Sequence, residues 1–298
     1  MRRKKKQTTT ILENVEITAI AAEGKGLARV ENYVVFVDKA IPGDNVHAKV
    51  QRKKKDYAMA EIETLVHPSA HRIDSFCVHF GTCGGCKWQH VDYSFQLEMK
   101  QNLVEDAFRR IGKTTITNQL PILGCEQTIY YRNKLEFTFS NRAWLTREQI
   151  DSGETFDKNA LGFHISGNFS SILPIDTCYL QDEKVNDIRN SIFEFTTQQA
   201  FSFYNLKFHD GLLRNLIFRN TTLNEWMVTI CFAQADMDKI ELLMDFVKNK
   251  FPFLTSLNYI INTKKNDTIY DQEVITYFGK NHIIEQLGTI QYKIIPKS

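Results

Sequence analysis

Three cysteines crowd into Cys77-Val-His-Phe-Gly-Thr-Cys83-Gly-Gly-Cys86, a C-x5-C-x2-C spacing with Gly81, Gly84 and Gly85 between or beside them. Glycines let such a loop fold back until three sulfurs converge on one point, with backbone N–H groups close to sulfur. A soft metal site wants a fourth ligand, and Cys178 in Ile175-Asp-Thr-Cys178-Tyr is the best candidate. Four thiolates suit either zinc or a [4Fe–4S] cluster. Zinc sites usually pair two short knuckles, whereas here three ligands are local and one is distant, a distribution closer to cluster loops. Packing explains a lone buried cysteine but not three in one glycine-rich loop. His79 and His90 flank the loop and would substitute if Cys178 did not ligate, although a supporting role is commoner for such residues.

The compartment decides whether thiols stay reduced. Arg2-Arg-Lys-Lys-Lys6 resembles the start of an export signal, but Gln7-Thr-Thr-Thr10 follows where an apolar run is needed. No apolar stretch is long enough to span a bilayer. A cytoplasmic protein without membrane contact is expected, with reduced thiols rather than disulfides. The 298 residues, 43% hydrophobic and 24% charged, are enough for about two domains with real cores. A net charge of +2 conceals two basic clusters, Arg2 to Lys6 and Arg52-Lys-Lys-Lys55. The first reads as part of a disordered arm over residues 1–10. The second interrupts a strand pattern, which points to a polyanion-binding surface.

Around these residues the chain must supply a frame. From Ile11 to about residue 67, short apolar strands alternate with turns: Val15-Glu-Ile17, the turn Glu23-Gly-Lys-Gly26, Tyr33 to Val37, the turn Pro42-Gly-Asp44, then Val46, Ala48 and Val50, and finally Ala58 to Val66. Strands so short and so closely spaced must close on themselves to bury one face, so a small barrel is expected. The cysteine loop occupies residues 68–91. A helix follows, capped by Asp92 and ended by Gly112, with Tyr93, Leu97, Val104, Phe108 and Ile111 near one stripe. Residues 125–298 read as an α+β domain with a mainly antiparallel sheet. Its elements are a strand Tyr131 to Phe139 (Tyr131, Leu135, Phe137 and Phe139 inward), helices Asp182 to Phe203 and Asp236 to Phe251, and strands at 212–218, 227–232, 257–261 and 289–295.

Gly24-Lys-Gly26-Leu-Ala28, Val35-Phe-Val37, Pro42-Gly-Asp44 and Ala60-Glu61 resemble a TRAM domain, the small OB-like barrel of RNA-modifying enzymes. In such a barrel Lys49, Arg52, Lys53, Lys54 and Lys55 would neutralise phosphates and Tyr57 would stack on a base, with Lys25 and Arg29 on the same module. Phe36 is expected in the core. The order of TRAM-like barrel, cysteine loop, helix, Tyr130-Tyr-Arg132-Asn133-Lys134 and Cys178 resembles the RNA (uracil-5)-methyltransferases of the TrmA/RumA type. Leu161-Gly-Phe163, Gly211-Leu-Leu-Arg214 and Ile294-Ile-Pro-Lys-Ser298 extend the match along nearly all the chain. The resemblance implies a [4Fe–4S] cluster on Cys77, Cys83, Cys86 and Cys178, RNA contacts that include Arg132 and Lys134, and S-adenosylmethionine as methyl donor. It favours 23S rRNA over tRNA as substrate, and a monomer.

One departure shapes the expected function. In that family the strand matching Ile290–Pro296 leads into a methyltransferase domain opening on Phe-x-Gln-x-Asn, and this sequence reaches Ser298 just short of it. No strand is followed by a glycine-rich nucleotide-binding turn. The expectation is therefore an OB-like barrel followed by an α+β domain, the Rossmann-like methyltransferase domain missing, and a chain inactive by itself. On that view the 92–112 helix, which in the family packs partly on the catalytic domain, leaves part of its stripe exposed. Uracil C5 methylation needs a thiolate to add at C6 and a base to remove the C5 proton. Neither spare cysteine fits: Cys231 lies in an apolar strand and Cys125 has no evident base. A freestanding, non-catalytic RNA-binding protein is the alternative. A radical methylthiotransferase is disfavoured, since its C-x3-C-x2-C spacing differs and its barrel follows the cysteines.

Overall fold

The computed structural model describes residues 10–165 and 167–298. The expected basic arm lies, apart from Thr10, outside the described residues. The chain divides into two compact units: one runs to Gly81 and takes up Cys86–Glu126, the other comprises Thr82–Gly85 and Gln127–Ser298.

The first unit is built on six strands: β1 (Ile11–Glu16), β2 (Ala19–Ile20), β3 (Gly26–Val30), β4 (Tyr33–Asp38), β5 (Asn45–Lys53) and β6 (Tyr57–His67). They form one sheet in the order β1-β5-β6-β4-β3-β2. Alternation sends Val35 and Val37, Val46 and Ala48, and Ala58 and Ala60 to one face, where they pack with Val15, Ile17 and Ala28. Gly26 cannot carry a side chain here, because a Cβ would come within 2.8 Å of the Ala40 carbonyl and of Ile17. Phe36, expected inside, is only half-buried. It sits on the opposite face from Val35 and Val37, so the pleat itself excludes it from the core.

The turn between β4 and β5 holds a buried ion pair. Asp44, with no exposed surface, accepts hydrogen bonds from Ile41 N (2.8 Å) and Ser69 N (2.9 Å), and from Arg72 Nε and Nη2, both at 2.7 Å. Arg72 also donates to the Lys39 carbonyl, which His90 Nε2 contacts as well (3.0 Å). Lys39 Nζ in turn donates to the Gly81 carbonyl at 2.6 Å. Through these bonds the segments flanking the cysteines are anchored to the strand turn. Helix α1 (Tyr93–Asp106) starts where Asp92 accepts from Phe95 N (2.9 Å), as its sequence suggests, and buries Phe95 and Met99 against Ile41 and Val91. Beyond Asp106 the helix widens into a π turn over Ala107–Ile111, and Val104, Phe108 and Ile111 are exposed. The expected partial exposure of the stripe is what the structure has.

The second unit contains β7 (Lys134–Ser140), α2 (Arg147–Asp151), β8 (Ala160–Ile165), β9 (Asn168–Pro174), α3 (Lys184–Gln198), β10 (Leu213–Asn220), β11 (Trp226–Phe232), α4 (Met237–Lys250), β12 (Ser256–Ile261) and β13 (Ile275–Gly279), then a separate hairpin of β14 (Ile283–Leu287) and β15 (Ile290–Ile294). The seven-stranded sheet runs β13-β12-β11-β10-β7-β8-β9. Residues of α3 and α4, among them Ile188, Ile192, Ile240, Leu243 and Val247, share one core with Phe137, Phe139, Phe218 and Phe232.

The sheet of the second unit is mainly antiparallel, as expected, with five of its six pairings antiparallel, but both large sheets are mixed. β4 pairs parallel with β6, and β11 pairs parallel with β12. Parallel neighbours need a long crossover, and α4 supplies it between β11 and β12. Two boundaries also move. Tyr131 is exposed, outside β7, and α3 stops at Gln198 because Ala200 takes a positive φ of 51°. Phe203 is still buried, but as a bridge to Leu213.

Removing one partner of a buried charge pair leaves the other unsolvated. Asp44→Ala should therefore lower the unfolding free energy by about 3–5 kcal/mol in a urea titration. A loss below about 1 kcal/mol, the surface-pair range, would contradict the assigned role.

Candidate nucleic-acid interface

Strand register assembles two cross-strand rows on the outer face of the first sheet. Arg29, Val34 and Tyr57 are paired neighbours across β3, β4 and β6. Leu27, Phe36, Met59 and Arg52 form the next row, across β3, β4, β6 and β5. The Phe36 and Tyr57 rings meet edge to face at 5.7 Å. On the opposite, core-facing side, the Tyr33 hydroxyl donates to the carbonyls of Lys54 and Tyr57, the latter at 2.6 Å, and Lys53 Nζ lies 5.5 Å from the Tyr33 ring centre. Two half-exposed aromatics flanked by Arg29 and Arg52 are what an unpaired nucleic-acid strand needs: faces for bases and cations for phosphates.

The basic residues singled out from the sequence divide into two kinds. Arg29, Arg52, Lys53, Lys54 and Lys55 are exposed. Lys49, expected to meet phosphate, instead lies 3.3 Å from Glu63 and 3.6 Å from Glu61. Its hydrogen bond to Glu63 and that carboxylate's charge raise its pKa. Lys25 is paired with Glu23 at 3.6 Å. Sequence reasoning counted cations and missed that β6 places two glutamates opposite Lys49. Phe36 was missed because it was assigned inward; its period-2 offset from Val35 and Val37 was the available signal. In the second unit Arg132 and Lys134 are both exposed, and the backbone N–H of Arg132 donates to the Leu180 carbonyl (2.7 Å).

The cysteines are all unbridged. In the first unit, Cys77 accepts from Phe80 N through its carbonyl (3.0 Å), and Gln89 Nε2 lies 3.2 Å from Cys86 Sγ. In the second, Cys83 forms an isolated bridge with Ile165 and packs against the core that contains buried Cys178. The backbone of Cys178 is held by Asn186, through Cys178 N to Oδ1 (2.8 Å) and Nδ2 to the Cys178 carbonyl (3.2 Å). Among the described residues, no three or more His, Cys, Asp or Glu side chains are gathered as a metal ion requires. The geometry therefore does not itself support the expected cluster. His90 has its ring buried, Nδ1 without a partner, and a pKa lowered first by burial and then by Arg72. Cys231 is buried in β11 with its thiol pushed well up by desolvation, so it stays a protonated core residue, as expected.

Comparison with known proteins gives this surface a context. The sequence profile of the TRAM domain matches residues 12–62. An uncharacterized RNA methyltransferase of Bacteroides thetaiotaomicron is 46% identical over 283 residues, covering 94% of this chain and 62% of its own length. A second, from Porphyromonas gingivalis, is 43% identical over 290 residues, 95% of this chain and 62% of that one. Among solved structures, the Pyrococcus abyssi tRNA (uracil-54, C5)-methyltransferase in complex with S-adenosyl-L-homocysteine is similar with a TM-score of 0.66 and 22% identity, covering 96% of this chain and 60% of that one. The chain thus spans about three-fifths of the length of the relatives it matches.

The chain carries a TRAM domain and is, along nearly all of its length, a homologue of bacterial RNA methyltransferases. In fold, these likenesses include a solved tRNA (uracil-54, C5)-methyltransferase. They overturn the expected fold class in one respect. A barrel plus α+β domain lacking the methyltransferase fold does not describe a chain of which 96% follows a methyltransferase structure and whose sheets are mixed. Among the described residues, no helix is long and apolar enough to cross a membrane.

The two kinds of cation should separate experimentally. For single-stranded RNA, Arg52→Gln should reduce the slope of log K against log salt by about 0.7, the value of one phosphate contact. Lys49→Gln should change it far less, since two carboxylates already neutralise that charge. Equal changes in fluorescence-anisotropy titrations would contradict the division.

Proposed function

We propose that this chain binds RNA across the outer face of its TRAM sheet, bases on Phe36 and Tyr57 and phosphates on Arg29 and Arg52, in the service of uracil C5 methylation. The single observation that carries this reading is the register that lines up two aromatics with flanking cations on one face. The substrate is RNA in the cytoplasm. Ribosomal 23S RNA is favoured by the combination of TRAM module and cysteine loop. Transfer RNA is the second reading, favoured by the likeness to a tRNA enzyme. The methyl group comes from S-adenosylmethionine, whose sulfonium makes it transferable; none of the residues located above is assigned to hold that cofactor. The task of this chain's own side chains is to grip and orient the strand carrying the target uridine.

For Cys77, Cys83, Cys86 and Cys178 the proposal is a [4Fe–4S] cluster, with zinc as the alternative. It rests on the donor type, four unbridged cysteines, and on the family resemblance, not on a preformed cage.

Base–aromatic stacking is worth about 1–3 kcal/mol per base. Tyr57→Ala and Phe36→Ala should each weaken binding of a short single-stranded RNA by about that much, with the salt slope unchanged. Unaltered affinity in both variants would refute the interface. Protein purified without oxygen should be brown, with about four iron and four sulfide per chain. Colourless protein carrying one zinc would reverse the cluster assignment.

A further inference from the structure

The second unit carries an unbalanced pair of cations on the sheet face away from α3 and α4. Arg219 on β10 and Lys134 on β7 are directly opposed in register. Like charges directly opposite across strands repel and destabilise the pair. Neither side chain ion-pairs with a carboxylate among the described residues, and Arg219 Nε is buried without a hydrogen-bond partner. Glu136 is the nearby acid, one pleat along β7 opposite Ile217. Its pKa is raised, chiefly by desolvation, with the charges of Lys134 and Arg219 opposing that shift. Burial likewise lowers the pKa of Arg219, with Tyr270 and Glu136 opposing that shift.

The same face is roofed by the loop after β12. Ile269 and Val274 pack on Ile217, Cys231 and Ile260. Arg214, itself 1% exposed, pins the start of this loop by donating to the carbonyls of Asn262 (2.8 Å), Lys264 (2.5 Å) and Asn266 (2.9 Å) and to Asp267 Oδ1 (2.7 Å). Three residues beyond this pinned stretch the loop presents Tyr270, which is 71% exposed. Lys297 Nζ donates to the Tyr270 carbonyl at 3.2 Å, adding a third cation. Two opposed cations that share a single acid and form no ion pair, beside an exposed ring on a pinned loop, fit one phosphate and one base.

We infer that Lys134, Arg219 and Tyr270 form a second RNA subsite, in which a backbone phosphate lies between the two cations and the adjoining base stacks on Tyr270. This rests on the RNA-binding reading above and goes beyond it by adding Arg219 and Tyr270. The test uses the full chain and a labelled single-stranded RNA long enough to occupy more than one site. Tyr270→Ala, a change at an exposed position, should weaken binding about five-fold or more and leave the salt slope alone. Arg219→Gln should weaken binding and reduce the slope by about 0.7. The thermal transition of each variant is checked alongside, and Tyr270→Ala decides the matter should Arg219→Gln unfold. If Tyr57→Ala weakens binding while Tyr270→Ala and Lys134→Gln bind as the parent does, this subsite is refuted and the interface on the first sheet stands. If the parent chain binds no RNA, both fall.

Discussion

The first unit depends on one buried carboxylate. Asp44 satisfies two backbone N–H groups and takes both a terminal nitrogen and the Nε of Arg72, so its charge is fully compensated without water. It fixes the turn from which β5 leaves, and β5 carries the basic run. It also seats Arg72, and through the Lys39 carbonyl it reaches His90. Lys39, held in a positive-φ conformation (φ 59°), uses its side chain to hold Gly81. Strand geometry and the approach to the cysteines thus share a single electrostatic anchor. Such a pair is not the cheapest way to fill a core, but its directionality sets geometry where apolar packing would not.

The distribution of charge explains why a protein of net charge +2 can present a polyanion surface. Some cations are cancelled locally: Lys49 by two glutamates, Lys25 by one, Lys264 by Asp271. Others are left exposed beside rings, as on the outer face of the first sheet. Net charge averages over both kinds and conceals the difference, whereas cross-strand register separates them.

Much of this was readable from sequence, for identifiable reasons. Asp92 as a cap, the inward alternation in β4, β5 and β6, and Cys231 as a core thiol all follow from local rules of period and capping. What local rules could not reach was pairing at a distance. The glutamates facing Lys49 lie on another strand, and the buried partnership of Asp44 with Arg72 spans 28 residues. The parallel pairing of β11 with β12 depends on where α4 delivers the chain. Phe36 was a different kind of miss: its alternation with Val35 and Val37 was visible, and its size argued for the core instead. The fold class was misjudged by weighing a local motif. The comparison that corrected it concerned the path of the backbone.

The central claim is that RNA lies on the outer face of the TRAM sheet. The most direct measurement is photocross-linking of a 4-thiouridine-substituted RNA to the protein, with the attachment points located by mass spectrometry. The account predicts adducts on the peptides carrying Phe36 and Tyr57, suppressed by salt as phosphate contacts are lost. Adducts confined to other peptides, with those two unmodified, would contradict it.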